Sequence, residues 1–396
     1  MFYDKTLSGS GKMACASCHD PAHAYAAPNA LAVQFGGPDG RRQGLRAVPS
    51  LTYREHTPPF VIGPDTHPDD DDHAAVAAAA SAARGTDMRL AASKATAAAA
   101  VQEMVPQGGM DWDGRAKTLP DQAGGPLLDP REMANADAAQ LMAKLAAAPY
   151  AGQMRQLFGP GVFTTPSLAL GEAYFALARF QSEDPSFHRY DSKFDHYLAG
   201  EAVLSAQEQR GLKWFDDPKK GNCASCHLDK PSKAGGFAPV FTDYQFEALA
   251  APRNPAIPAN RDPHYADMGL CGPLRQDLKG EQRYCGYFKT PSLRNVATRK
   301  VFFHNGVFHS LTEVLRFYVE RETRPERWYP RAADGRLKLY DDLPAATQRN
   351  VDVADAPFDR HRGQSPALTE SEIADVVAFL KTLDDGYRPP PSNPRR

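Results

Sequence analysis

The pentapeptide Cys15-Ala16-Ser17-Cys18-His19 returns unchanged as Cys223-Ala224-Ser225-Cys226-His227. Two thiols one turn apart suit addition to the two vinyl groups of a haem, and the adjacent imidazole suits its iron, so Cys-x-x-Cys-His reads as a c-type haem attachment site. A thioredoxin-like Cys-x-x-Cys has no use for the histidine twice, and a zinc site needs pairs that close one tetrahedron. With only 6 Cys and 12 His in 396 residues, two accidental copies are a remote coincidence. The expectation is two covalently bound c-type haems, one on Cys15 and Cys18, the other on Cys223 and Cys226, with His19 and His227 as proximal iron ligands.

The composition around these motifs is that of a globular protein, 42% hydrophobic and 24% charged. The length suits two to three domains with real cores, so disulfides need not replace a core. A formal net charge of −2 offers no basic field for nucleic acid and no polybasic membrane signal. The longest apolar candidate, Ala74 to Val101, is alanine-rich and broken by Arg84, Arg89 and Lys94, so no membrane span is expected. Haem attachment takes place outside the bacterial cytoplasm, which makes the expected location periplasmic. The opening MFYDKTLSGSGK has no apolar signal region, so the expectation is a start that has been processed or truncated, too short ahead of Cys15 for a full leading helix. Cys271 and Cys285 lie in a Gly/Pro-containing loop, where they either pair or stay as buried free thiols.

Capping boxes place three helices. Ser205 with Glu208 opens a helix just before the second CASCH. Thr369 with Glu372 opens a terminal helix whose Ile373, Val376, Val377 and Leu380 share one face, ready to pack against that leading helix. Ser310 with Glu313 opens a third, in which Leu311, Val314, Leu315 and Tyr318 form one apolar stripe. LALGEAYFALARF at Leu168 to Phe180 closes the first half, so the order of CASCH, insert and closing helix occurs twice. No stretch alternates with period two for long. The class is therefore mainly α, with two tandem cytochrome c-type haem domains over residues 1–185 and 186–396, the first interrupted by an insert at 54–109. The acidic run THPDDDDH at Thr66 to His73 reads as a solvated loop.

Two further stretches carry a family resemblance: MDWDGRAKTLPDQAGGPLLDPREMAN at Met110 to Asn135 and FKTPSLRNVATRKVFFHNGVFHSLTEVLRFY at Phe288 to Tyr318. Together with the paired CASCH motifs they resemble the bacterial di-haem cytochrome c peroxidase and MauG superfamily. The resemblance implies that the His19 haem reacts with hydrogen peroxide and that the His227 haem passes electrons. It puts Trp112 between the haems as an electron relay, Glu132 beside the peroxidatic haem as the carboxyl that shuttles a proton during O–O cleavage, and Gln122 as a hydrogen-bonding partner of bound oxygen. Electrons would come from a small redox protein, a c-type cytochrome or a blue-copper protein.

Tyr318 stands where the ordinary peroxidases have a methionine ligand and where MauG-like members have a tyrosine, so the resemblance implies the tyrosine-ligated, MauG-like branch with Tyr318 on the second iron; Met268 is the alternative. The peroxidases that need reductive activation hold a loop histidine on the resting peroxidatic iron, whereas FGGPDGRRQGLRAVPSL contains none, so the first haem is expected to be five-coordinate. Calcium between the domains is implied through main-chain oxygens at Arg299 and Val301, but Ala47 replaces the family's asparagine. The surface tryptophan by which MauG reaches a protein substrate is Gly221 here, leaving Trp214 and Trp328 as other exits. His304 is expected to hydrogen-bond near the second haem rather than bind its iron. The functional expectation is a peroxidase that reduces hydrogen peroxide to water. The alternatives are a MauG-like oxidase that modifies a partner protein and a di-haem electron carrier without catalysis.

Overall fold

Two separate sets of buried side chains organise the chain. The first gathers Phe2, Tyr25, Leu141, Leu145, Leu177 and Phe187, the second Phe194, Phe215, Phe241, Phe317, Phe379 and Leu383. The computed structural model describes residues 1–65, 104–231 and 236–389, so the acidic run and the alanine-rich stretch lie outside the described residues.

Around the first core run α1 (Cys15–Cys18), α2 (Leu119–Leu128), α3 (Ala138–Ala147), α4 (Ala151–Phe158) and α5 (Pro166–Glu183). Ahead of Cys15 the described chain forms only a short 3-10 turn, Lys5–Leu7. Helix α2 starts at a capping box, Thr118 with Asp121, that the sequence reading did not single out. It packs on α5 where Gly124 faces the Tyr174 ring, so close that a Cβ there would sit 2.7 Å from a ring carbon.

Around the second core run α6 (Lys193–Leu198), α7 (Ala206–Asp216), α8 (Leu311–Glu320) and α9 (Glu370–Leu380). The expected boxes at Ser205/Glu208 and Thr369/Glu372 are both complete. The one at Ser310/Glu313 is only half formed: Ser310 accepts from the Glu313 N–H, but the Glu313 carboxylate turns to the N–H of His309 at 2.9 Å. The terminal helix α9 lies across α7, as its apolar face required. Gly211 marks the crossing, because a Cβ there would stand 2.0 Å from the Asp375 carbonyl oxygen.

Sheet is confined to three antiparallel ribbons: β1 (Phe35–Gly36) with β2 (Arg42–Gln43), β3 (Val61–Pro64) with β4 (Met104–Gln107), and β5 (Phe246–Glu247) with β6 (Phe288–Lys289). The mainly α expectation therefore holds for the described residues. Cys271 and Cys285 are joined by a disulfide, and no described helix is long and apolar enough to cross a membrane.

The α7–α9 crossing gives a stability prediction. Gly211→Val forces a side chain into backbone and should destabilise the protein by about 1–3 kcal/mol. Gly171→Ala, on α5 with nothing near its added methyl, should be neutral or stabilising by about 0.5–1 kcal/mol. Urea unfolding followed by circular dichroism separates the two; equal midpoints would remove the close-crossing account.

Candidate haem-binding sites

Each CASCH motif opens onto a cavity. The first, about 270 Å³, is lined by Cys15, Cys18 and His19 together with Trp112, Gln122 and Glu132. The second, about 190 Å³, is lined by Cys223, Cys226 and His227 with Trp112, His304 and Tyr318. The four thiols make no disulfide. Burial pushes Cys15 up to about 11 and Cys18 and Cys223 up to about 12, so they stand as neutral thiols.

The two histidines are held alike. Nδ1 of His19 lies 2.9 Å from the Tyr25 carbonyl oxygen, and Nδ1 of His227 lies 3.0 Å from that of Phe241. A carbonyl only accepts, so Nδ1 carries the proton in both rings and Nε2 is left with its lone pair, the tautomer a metal needs. Burial lowers both imidazoles to about 4, which keeps them neutral. Paired thiols and an oriented neutral imidazole fit a covalently attached haem in each cavity, against a mixed wall in the first and a largely apolar one in the second.

The polar groups facing the two histidines differ. In the first cavity Glu132 sits in the turn after α2, held by its N–H to the Asp129 carbonyl and by its own carbonyl to the Gly37 N–H at 2.8 Å. It is not in the first turn of a helix, the alternative for a Glu at this position. Its side chain is exposed at the cavity surface, yet desolvation by the surrounding protein, helped by Asp129 and Asp111, raises its carboxyl to about 7. Gln122, on α2, places Nε2 3.5 Å from Asp111 and lines the same space. Among the described residues His19 is the only histidine there. Gln34, Phe35, Gly44 and Leu45, from the stretch around the β1–β2 ribbon, line its wall.

In the second cavity the whole α8 stripe, Leu311, Val314, Leu315 and Tyr318, faces inward. The Tyr318 hydroxyl makes no hydrogen bond to any described residue, and burial, with Cys226 and Cys223 nearby, raises its pKa. Met268 does not line this cavity; its backbone pairs with Gly272 and Gly286 in the disulfide loop. His304 stacks on Phe288 with centroids 3.5 Å apart, and burial lowers it to about 4. Its Nε2 has no hydrogen-bond partner, with Asp342 3.9 Å away.

Trp112 lines both cavities and is the partition between them. Its indole N–H donates to the Ala47 carbonyl at 2.8 Å, the Ala47 N–H donates to the His304 carbonyl at 2.7 Å, and the Trp112 carbonyl accepts from the Lys289 N–H at 2.8 Å. Beside it Arg46 joins the halves through Asp113 and Asp267, both at 2.7 Å.

A family profile described as "Di-haem cytochrome c peroxidase" matches residues 1–203. The chain belongs to this family. It is 30% identical over 395 residues to the methylamine utilization protein MauG of Paracoccus denitrificans, covering 97% of this chain and 87% of that one. It is 34% identical over 282 residues to the cytochrome c peroxidase Ccp of Escherichia coli, covering 70% of this chain and 45% of that one. Among solved structures, the diheme peroxidase BthA of Burkholderia thailandensis matches with a TM-score of 0.79 and 36% identity, over 97% of this chain and 84% of that one.

Two features of this family member escaped the sequence reading. The Arg46–Asp113–Asp267 network links residues far apart in the chain, and no local spacing announces it. Lys289 and Arg299 both lie inside the quoted Phe288 to Tyr318 stretch, but no local pattern there marks their side chains as buried. As for the other exits, Trp328 is packed against Phe308 and Phe317, while Trp214 is flanked by Lys213 and Lys220. At Gly221 a Cβ would lie 2.4 Å from the Trp214 carbonyl oxygen, so a tryptophan has no room there in this packing.

The raised Glu132 carboxyl has a consequence for stability. Its ordinary value is 4.5 and its folded value about 7, so between these the native state holds the extra proton and the group's contribution turns against folding as pH rises. The protein should lose more stability between pH ~5 and pH ~8 than Glu132→Gln does, read as urea midpoints at the two pH values. Equal losses would show that this carboxyl does not carry the proton.

Proposed function

We propose that this chain is a periplasmic di-haem peroxidase that reduces hydrogen peroxide to water with electrons from a small redox protein, a c-type cytochrome or a blue-copper protein. Residues 1–185 form the peroxidatic domain, with the 54–109 insert, and residues 186–396 the electron-transfer domain; the buried cores change over between Phe187 and Phe194, a few residues beyond this boundary, which supports a division here. The reading is carried by the first cavity, where one neutral proximal histidine shares its space with the raised Glu132 carboxyl and with no second histidine among the described residues.

The haem, when bound, supplies the iron that takes peroxide and the electrons that break the O–O bond. The residues do the rest. Peroxide must lose a proton from one oxygen and gain one on the other, and a single carboxyl with a pKa near neutrality accepts the first and returns the second. Gln122 donates a hydrogen bond from the same wall. Trp112, shared by both cavities, is the contact through which electrons cross from the His227 side. In the second cavity Tyr318 would help hold the haem iron: its hydroxyl has no hydrogen-bond partner among the described residues, and the metal would satisfy it. Calcium has no part in this proposal, because Ala47 brings no side-chain oxygen and its carbonyl is taken by Trp112.

The MauG-like reading, oxidation of a partner protein's side chain, draws on the Tyr318 position and on the likeness to MauG. Gly221 stands against that route, and Glu132 with a lone histidine stands against a mere carrier.

Peroxide added to the diferric protein, with and without reduced cytochrome c, separates these readings. Rapid oxidation with catalytic turnover of the cytochrome is the expected result; a long-lived oxidised state indifferent to the cytochrome would favour the partner-modifying oxidase, and no reaction would sink both. Glu132→Gln should slow the peroxide step by about 10²–10⁴-fold with both haems retained, and unchanged kinetics would remove Glu132 from its role.

Tyr318→Phe should abolish the low-spin spectrum of the second haem. An unaltered spectrum would exclude the phenol as ligand.

A further inference from the structure

Three cationic side chains stand inside the protein beside Trp112 without an anionic partner. Lys289, only 4% exposed, lines the second cavity and a smaller space against Trp112, and its Nζ donates to the Gly109 carbonyl. Arg54 lines that smaller space and directs Nε and Nη2 to the single carbonyl of Ser50 at 3.0 and 2.7 Å. Arg299 lines the second cavity, with Nη2 3.2 Å from the Val48 carbonyl. Among the described residues no carboxylate reaches any of the three within ion-pair distance.

Elsewhere this protein does not leave its buried guanidinium groups so. Arg46 has Asp113 and Asp267, Arg294 has Asp195, and Arg321 has Glu322. The acids and phenols that face the three cations are Asp111, Asp113, Glu55 and Tyr244. The carboxylates among them are engaged: Asp113 binds Arg46 and Arg115, Asp111 binds Arg115, and Glu55 accepts from Tyr190. Desolvation, with Arg54 as a like charge, lowers Lys289 to about 7 and Arg299 to about 10. Buried charges are normally paired, and this arrangement is unfavourable unless an anion joins it.

A c-type haem brings such anions. Its vinyl edge is tied up by the thiols, and its two propionate carboxylates leave from the other side of the macrocycle. We propose that Arg54, Lys289 and Arg299 form a carboxylate-binding seam, facing the second cavity and the smaller space against Trp112, that takes haem propionate groups and so couples the two redox sites electrostatically. This rests on the two-haem reading of the cavities. The three are positioning residues: they touch the cofactor's periphery and act on the iron through it. Planar guanidinium groups suit bidentate carboxylate recognition, and the lysine adds a point charge where both spaces meet.

The test is spectroelectrochemical titration of the holoprotein and of Lys289→Met, Arg54→Gln and Arg299→Gln over the acid to neutral range, with Lys289→Arg as the conservative variant. Removing a positive charge favours the oxidised, more positive iron, so midpoint potentials should fall. A propionate released from its cation should also take up a proton on reduction, so each neutral variant should gain a pH-dependent midpoint that the parent lacks and that Lys289→Arg suppresses. A fall of equal size at every pH would mean a through-space charge effect without pairing, and no change would mean no contact; either overturns the proposal. Iron and pyridine haemochrome content, measured on the same samples, reports separately on whether two haems are present.

Discussion

The Trp112 indole N–H bonded to the Ala47 carbonyl fixes the wall that both cavities share. The same peptide segment donates the Ala47 N–H to the carbonyl of His304, and the Trp112 carbonyl receives the N–H of Lys289 in β6, so segments far apart in the chain are stitched at one point. A backbone hydrogen bond in a dry interior is expensive to leave unmade. The wall is therefore stiff although no helix builds it. Arg46 reinforces it through Asp113, the residue after Trp112, and Asp267 from the other half of the chain. A buried arginine between two carboxylates holds this geometry because losing either partner would leave a desolvated charge.

From that wall outward the two sites repeat one design. A CASCH turn presents its histidine, a carbonyl farther along the chain accepts a hydrogen bond from Nδ1–H, and burial keeps the ring neutral. The carbonyl comes from Tyr25 in one site and Phe241 in the other, and both residues belong to the local hydrophobic core. Packing thus sets the tautomer: the aromatic side chain anchors the backbone, the backbone orients the imidazole, and Nε2 is left for iron.

Much of this was legible in the sequence because it is written in short range. The thiol and histidine spacing, two complete capping boxes and the α8 stripe each need fewer than a dozen residues, and local geometry enforces them. The half-formed box at Ser310 shows the limit: Glu313 had a second donor, the His309 N–H, and the pattern could not say which would win. What the sequence could not show depends on contacts across the chain. Arg46 and Asp267 carry no spacing rule that joins them, and the lack of an ion-pair partner for Lys289, Arg54 and Arg299 among the described residues is visible only once the surrounding residues are in place.

The division of labour between the sites follows from the group opposite each histidine. Desolvation raises the pKa of both Glu132 and Tyr318, but with different results, because a carboxyl starts near 4.5 and a phenol near 10. The carboxyl arrives near neutrality, where it can hold or release a proton at little cost. The phenol moves further from it, so it ionises only if a strong Lewis acid binds its oxygen. The same physical effect, desolvation, is thus what the proposed function draws on for a proton shuttle in the first cavity and for a metal ligand in the second. Met268, the other candidate for the second role, is fixed by backbone hydrogen bonds within the disulfide loop, so α8 is the element that brings a donor atom to that side of the cavity.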